Sequence, residues 1–386
     1  MSVKEARKRL KIYSEDCIDC GICEDACPLL SDLGLGAGEI ARQVLDGSAS
    51  KEVVEAIKRC DLCGLCSRGC LVNLDPSEMV AAAREILVAE GKIDLDDYQV
   101  MLVDRDWNFF TIYRNTFGIK YDDLQRDAFD TLFFPGCTLS SYSPELTRAA
   151  FQWLAGQGYK TGFSELCCGK PLSSIGLKER KDGLLAIIAQ KMTAAGASRL
   201  VTACPNCYYQ MRGQMGEIEV ISIYHLFRQA GVQLKGDERL TIHDSCPDRK
   251  DLSTARDMRG LLAQYPITEM EHNQADTLCC GSGGIVSMID PDLCSRRAQD
   301  RLKEFAETGA DTCVTACMSC AHRLSRAVKP GSDDPVVTHL LELVFGIRVD
   351  YSQVHANTEA MWQGRQGEIN LERLSQARAL HEGTAE

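Results

Sequence analysis

The chain has 386 residues, 45% of them hydrophobic, enough to bury the cores of two or three domains. Its 55 acidic and 43 basic residues leave a formal charge of −12, which argues against a nucleic-acid partner. Twenty cysteines in a chain this long fall below the density of a small disulfide scaffold, and their clustering points to metal ligation in a reducing compartment. The basic N-terminus is not followed by an apolar stretch, so it does not read as a secretory signal. No run of about 18 apolar residues predicts a transmembrane helix. The expected location is cytoplasmic, with attachment to a membrane through a partner left open.

Residues 1–13 predict a short basic helix, either a solvated face or a docking arm for an acidic partner. Two cysteine runs follow: Cys17-x-x-Cys20-x-x-Cys23-x-x-x-Cys27-Pro28 and Cys60-x-x-Cys63-x-x-Cys66-x-x-x-Cys70. This is the spacing of a two-cluster ferredoxin, in which the last cysteine of each run ligates the other cluster. One cluster is then expected on Cys17, Cys20, Cys23 and Cys70, the other on Cys60, Cys63, Cys66 and Cys27. Gly21 and Gly64 stand where the loops are tightest and positive φ is cheapest. A zinc ribbon is the alternative, disfavoured by two complete runs with Cys-Pro. Residues 39–59 read as mostly helical. A helix starts at Pro76-Ser77-Glu78 within residues 76–98 and stops at Gly91. Residues 99–130 carry Trp107, Phe109, Phe110, Tyr113, Phe117 and Tyr121, and read as a packing connector rather than a substrate or partner surface.

From Cys137 onward one pattern occurs twice. The first copy is Cys137, Cys167-Cys168-Gly169 and Cys204-Pro205-Asn206-Cys207. The second is Cys246, Cys279-Cys280-Gly281 and Cys317-Met318-Ser319-Cys320. The copies are offset by 109 to 113 positions, and Val201–Cys204 repeats as Val314–Cys317. Thiolates select zinc, copper(I) or iron–sulfur clusters. A structural zinc site closes with four ligands, so five thiols per copy fit an iron–sulfur cluster larger than a cubane best. Zinc with a spare thiol and redox-active disulfides stay open on residues alone. Strands are expected at residues 130–134, 199–202, 239–242 and 312–315, each running into a ligand-type cysteine at its carboxyl end, where open α/β sheets place ligands. Helices are expected at Pro144–Ala155, Lys178–Ala195, Ile223–Ala230, Ala255–Gln264 and Asp292–Glu307. A turn at 331–335 and a helix at Val336–Phe345 close this region. The polar tail, with Trp362 and a helical pattern over Leu371–Leu380, is either frayed or a partner-binding arm.

His243 and Asp244, just before Cys246, either order the strand end or supply protons to substrate sulfur. His225 and His322 read as structural. Cys294 and Cys313 lie outside all four motifs and are expected to be inert. Neither a Gly-x-Gly-x-x-Gly loop nor a P-loop is present, so electrons are expected from a partner rather than from bound NAD.

The duplicated pattern resembles the CCG domain in the B-type chain of heterodisulfide reductase. The ferredoxin part resembles the helical ferredoxin of the C-type chain and of succinate dehydrogenase iron–sulfur subunits. Ferredoxin followed by a CCG pair, over residues 17–345, resembles the D-type chain of heterodisulfide reductase, a fusion of the C and B types. The resemblance implies two cubane 4Fe-4S clusters on the eight upstream cysteines. It also implies two noncubane 4Fe-4S clusters, one on Cys137, Cys167, Cys168, Cys204 and Cys207, the other on Cys246, Cys279, Cys280, Cys317 and Cys320. These ten would act on a disulfide entering between the two clusters. The implied donor is a flavoprotein like the A-type chain of heterodisulfide reductase, or a membrane cytochrome, in a hetero-oligomer, with a small disulfide or thiol as substrate. The alternative is an electron relay without a substrate of its own. That would resemble the C-type chain of anaerobic glycerol-3-phosphate dehydrogenase or the CCG chain of tungsten benzoyl-CoA reductase. The expected fold combines α+β and α/β parts: a helical ferredoxin at 1–98, a connector at 99–130, two pseudo-symmetric α/β halves at 131–235 and 236–350, and a tail at 351–386.

Overall fold

The structure is a computed structural model and describes residues 3–328 and 336–380. The turn expected at 331–335 lies outside the described residues. The first unit is helical. Helix Val3–Asp16 places Ala6, Leu10 and Tyr13 on one face by their spacing, and buries that face against helices Ala37–Asp46 and Pro76–Ala89. Residues 39–59, expected to be mostly helical, fall in two helices, Ala37–Asp46 and Lys51–Lys58. Gly47, at φ 74°, ends Ala37–Asp46 in the left-handed conformation, and Ser50 caps Lys51–Lys58 by accepting from the Val53 N–H. Helix Pro76–Ala89 starts with Pro76 in its first turn and the Asp75 carboxylate accepting from the Ser77 N–H at 3.0 Å.

The remainder is two α/β halves with parallel sheets. In the first, β1 (Thr131–Phe134), β2 (Thr161–Phe163), β3 (Arg199–Thr202) and β4 (Glu219–Ser222) lie in the order β2-β1-β3-β4. In the second, β5 (Leu240–His243), β6 (Thr312–Thr315) and β7 (Val336–His339) lie in the order β5-β6-β7. The register matches between halves: Thr202 pairs with Ser222, and Thr315 with His339. The second half keeps only a trace of a β2 counterpart, a single parallel bridge between Leu240 and Ile267.

The helix expected at Val336–Phe345 is corrected to a strand, Val336–His339, followed by a helix, Leu340–Phe345. The β-branched Val336-Val337-Thr338 run suits the edge of β6, and His339 caps the helix behind it. The described tail packs down. Helices Tyr351–Ala360 and Gly364–Ser375 bury Val354, Met361 and Leu374. The Asn357 amide donates to the Tyr113 hydroxyl, and the Asn370 amide to Thr116 at 3.0 Å. The aromatic connector therefore lies under the tail, with Tyr113 and Tyr121 buried and Trp362 stacked near Phe109 at 6.4 Å.

Two cores result. One joins the ferredoxin-type unit to one face of the first sheet; the other joins the opposite face of that sheet to the second half. Where the three units meet, Arg84 is buried and donates to the carbonyls of Ile57, Lys58 and Cys60, of Ser174 in the first half, and of Gly284 in the second. Gly284 has no room for a side chain: a Cβ there would stand 2.0 Å from the Cys60 carbonyl oxygen.

Candidate metal centres

The two upstream cysteine runs fold into matching loops. Asp19 and Leu62, each just before the second cysteine, have φ 49° and 54°; Gly21 and Gly64, just after it, have φ 79° and 73°. In the second run backbone N–H groups point at sulfur: within the winding Leu62 donates to Cys60 Sγ at 3.4 Å, and after the run Leu74 donates to Cys70 Sγ at 3.2 Å. Cys27 is pushed up by burial and further by the charge of Cys63, which places the last cysteine of the first run beside the second run. Burial pushes Cys60 up to about 12. Cys20, by contrast, is exposed.

Each α/β half gathers its five cysteines from three chain segments. Cys137 opens the short helix Cys137–Tyr142 after β1, and Cys246 opens the 3-10 helix Cys246–Lys250 after β5. Cys204 and Cys317 follow β3 and β6 and lead into helices Pro205–Met211 and Met318–Ala327, which carry Cys207 and Cys320. The vicinal pairs arrive on loops ending in Gly169 and Gly281, at φ 75° and 82°. In the first nest Cys167 Sγ lies 3.6 Å from Cys137 Sγ; in the second Cys280 Sγ lies 3.2 Å from Cys320 Sγ. No described cysteine is in a disulfide. Cys168 is held well below the usual thiol range by the thiols of Cys167 and Cys207, and Cys280 by those of Cys279 and Cys320. Sulfurs this crowded cannot all ionise unless a cation shares their charge. A donor set of soft thiolates fits iron–sulfur chemistry.

The nests face one another. The Tyr224 hydroxyl lies 2.9 Å from both the Ala203 and Ala316 carbonyls, the residues before Cys204 and Cys317. Thr138 and Ser319 hydroxyls meet at 3.0 Å, and the Asn206 amide lies 3.7 Å from Cys317 Sγ. Cys204 is held down at about 5, first by the Cys207 thiol and then by that of Cys317. Between the nests is a cavity of about 570 Å³ lined by Cys137, Cys167, Cys168, Cys204 and Cys207 from one side and Cys246, Cys280, Cys317 and Cys320 from the other. Lys170, Lys181 and Arg249 also line it.

The second cysteine run lies against the second nest. Cys63 lines the same cavity, and the Cys279 thiol holds it down at about 7. Cys279 Sγ is 3.2 Å from Asp61 Oδ2, and Asp61 is in turn paired with Arg297. Burial pushes the Asp61 carboxyl up, against the pull of Arg297. Arg249 crosses the same junction, donating to the Cys63 and Thr277 carbonyls. Sequence reasoning missed Asp61, Arg297 and Arg249. Only Asp61 carried a signal, its position inside Cys60-x-x-Cys63.

Of the other residues singled out, Asp244 is bound by Arg259 at 2.8 and 2.9 Å and by the Gln274 N–H, contacts that order the strand end. His225 is near Asp257, at 3.6 Å. His322 lies between a tilted Tyr142 ring and an edge-on His355 ring, and burial pushes it well below its usual range. Cys294 and Cys313 are buried, and burial pushes them up to about 11 and about 12, away from reactive thiolate character. No helix among the described residues is long and apolar enough to cross a membrane.

The family of the cysteine-rich domain, CCG, matches residues 131–212 and 240–325, and the 4Fe-4S dicluster domain family matches residues 13–74. The chain is 24% identical to the D-type chain of dihydromethanophenazine:CoB–CoM heterodisulfide reductase from Methanosarcina barkeri, over 85% of this chain and 92% of that protein. It is 23% identical to the B-type chain of fumarate reductase (CoM/CoB) from Methanothermobacter marburgensis, over 88% and 75% of the two chains. It is also 23% identical to the glycolate oxidase iron–sulfur subunit of Escherichia coli, over 85% and 92%. Among solved structures, a hypothetical protein from Helicobacter pylori overlays with a TM-score of 0.49 at 11% identity, over 96% of this chain and 79% of that one, too loose a likeness to inform the fold. The chain thus has the make-up of an iron–sulfur oxidoreductase component, a 4Fe-4S dicluster domain followed by two cysteine-rich CCG domains, and over most of its length it is similar to D-type chains of heterodisulfide reductases.

Proposed function

We propose that this chain is the disulfide-reducing component of a hetero-oligomeric complex, with two cubane 4Fe-4S clusters on its upstream cysteine runs and two noncubane 4Fe-4S clusters on its five-cysteine nests. The observation that carries the reading is the single cavity onto which both nests open. A pair of one-electron centres on opposite walls suits the two-electron cleavage of a symmetric S–S bond, and soft irons stabilise the developing thiolates. The chain's own residues supply the rest. Cys137, Cys167, Cys168, Cys204 and Cys207 hold one centre, and Cys246, Cys279, Cys280, Cys317 and Cys320 the other. Lys170 and Arg249 line the cavity as cations that can pair with the thiolate products. Electrons enter beside the exposed Cys20; the chain neighbours of Cys17 and Cys70, Ile18 and Leu71 with Val72, are exposed apolar residues of the kind a flavoprotein or cytochrome donor would cover.

Cys168→Ala and Cys280→Ala, each prepared anaerobically, are expected to lose disulfide reduction while keeping the spectroscopic signals of the two upstream clusters. Unchanged turnover in either variant overturns the reading. A relay without its own substrate is the second reading, favoured by the likeness to the glycolate oxidase iron–sulfur subunit. It predicts that the intact complex reduces no added disulfide although its upstream clusters accept electrons.

A further inference from the structure

The two nests share a cysteine pattern but not their surroundings, and the difference centres on His243. It is the last residue of β5, three positions before Cys246; the matching position before Cys137 is Phe134, the last residue of β1. Both side chains are buried. A ring nitrogen of His243 and the sulfurs of Cys280 and Cys320 lie within 4.8 Å of one another. The other contact fixes the chemistry of the ring. Arg301 is buried, and its Nε–H donates to His243 Nδ1 at 3.1 Å. A guanidinium can only donate, so Nδ1 must be the unprotonated acceptor and the ring proton sits on Nε2. A ring in that tautomer is an N–H donor toward sulfur and not a metal ligand. Arg301 is itself held by Glu304 and by the His272 carbonyl, so the tautomer is set by a fixed chain of contacts. The repeat offset of Cys204 to Cys317 carries Arg301 onto Ile188, which is buried and apolar. The first nest therefore has Phe and Ile where the second has a His–Arg donor pair.

We infer that His243, held by Arg301, donates from Nε2 to the sulfur of Cys280 and makes the centre of the second nest easier to reduce than it is without that donor. Hydrogen bonds to ligand sulfurs are among the levers that set an iron–sulfur potential, because they stabilise the more negative reduced state. The second nest is the one beside Cys63, so this donor acts on the centre that meets the upstream run.

This inference rests on the reading that both nests hold iron–sulfur centres, and the test separates the two. Iron and sulfide are counted first, and the full chain is then titrated redox-potentiometrically with spectroscopic detection. The second-nest signal is identified as the one that survives Cys168→Ala. In His243→Phe, which copies the first half, its reduced-to-oxidised ratio at fixed potential is expected to fall about tenfold, about 59 mV for one electron. The first-nest signal should stay in place. His243→Gln, which keeps an N–H donor, is expected to hold the second-nest midpoint near that of the parent. An unmoved midpoint in His243→Phe, equal movement of both signals, or loss of second-nest iron in both variants overturns the inference while leaving the disulfide-reductase reading intact. Nests without iron and sulfide in the parent protein overturn both.

Discussion

Leu172, Ile175, Leu184 and Ile188 of the first half are buried in one core with Ile57, Met79, Val80 and Ala83 of the ferredoxin-type unit. The second half meets the same unit differently. Its contacts are Arg297 with Asp61, Asp290 with Arg59 at 3.2 Å, and Asp276 with Arg68 at 2.8 Å. Of its apolar residues, Ile285, Met288 and Ile289 pack partly buried against that core, while its fully buried core residues belong to the other one. Burying a Leu or Ile is worth about 1.5–3 kcal/mol, whereas exposed ion pairs contribute about 0–1 kcal/mol. The first half is thus fused to the electron-entry unit by packing. The second is positioned against it by a small, partly buried apolar patch together with charge and backbone contacts, at the place where Cys63 and Cys279 come together. Duplication preserved the ligand pattern and left the two interfaces free to diverge.

Arg297 offers the sharpest way to break this comparison. It pairs with Asp61, whose side chain is 2% exposed, and its own charge is favoured by Asp61 first and by the nearby sulfurs of Cys279, Cys60 and Cys63. Removing one partner of a buried pair leaves the other charge uncompensated, at a cost of about 3–5 kcal/mol. Arg297→Met is expected to lose that much in anaerobic chemical denaturation. Arg297→Met with Asp61→Asn should recover a large part of it, because the stranded carboxylate is gone. Leu184→Met, at the position of the first half that the repeat offset aligns with Arg297, should cost less than about 1.5 kcal/mol, as volume-conserving swaps do. Equal losses in the two halves would erase the distinction.

His339 sharpens the comparison through pH. It caps helix Leu340–Phe345 in the second half, in the register position that Ser222 holds in the first. Its Nδ1 accepts from the Leu341 N–H at 3.3 Å, and Nε2 lies 3.2 Å from the Ala316 carbonyl, so the ring is bound as a neutral donor–acceptor. Burial lowers its pKa to about 4. The unfolded chain, with an ordinary value of about 6.5, binds the proton more readily. Stability from this group is therefore complete above about pH 6.5 and is lost as pH falls toward 4, by about 3 kcal/mol in total. His339→Ser, which installs the first-half cap, should flatten that part of the acid limb. An identical pH dependence in parent and variant would show that the ring does not titrate with unfolding.

What could be read from sequence and what could not divides along local chemistry. Ligand geometry constrains spacing, so the four cysteine motifs, Pro28 and the Gly21 and Gly64 turns were visible at once. So were the strand ends that lead into Cys137, Cys204, Cys246 and Cys317, because buried apolar runs precede them. β2, at Thr161–Phe163, is three residues long and carries no periodicity to detect. Val336–His339 precedes a helix without a break, and only pairing with β6 decides that it is a strand. Asp61 and Arg297 are 236 positions apart, and no local pattern announces such a pair. His243 was flagged by its place before Cys246, but its tautomer depends on Arg301, which lies on a distant helix.

The smallest expected effect tests whether the peripheral charges matter at all. Arg68 and Asp276 form an ion pair at 2.8 Å with side chains 46% and 57% exposed. At that exposure, water and the entropy of two long side chains offset most of the attraction, so Arg68→Ala is expected to cost no more than about 1 kcal/mol. At 1 M salt the Debye length falls to about 3 Å, and the effect should vanish. The Arg297→Met loss should persist under the same salt, because a buried pair is screened much less. Denaturation of both variants at low and high salt separates the two cases. If the Arg297→Met loss also disappeared with salt, the contact between the second half and the ferredoxin-type unit would be solvated rather than buried, and the Asp61–Arg297 pair would not be what positions Cys279 beside Cys63.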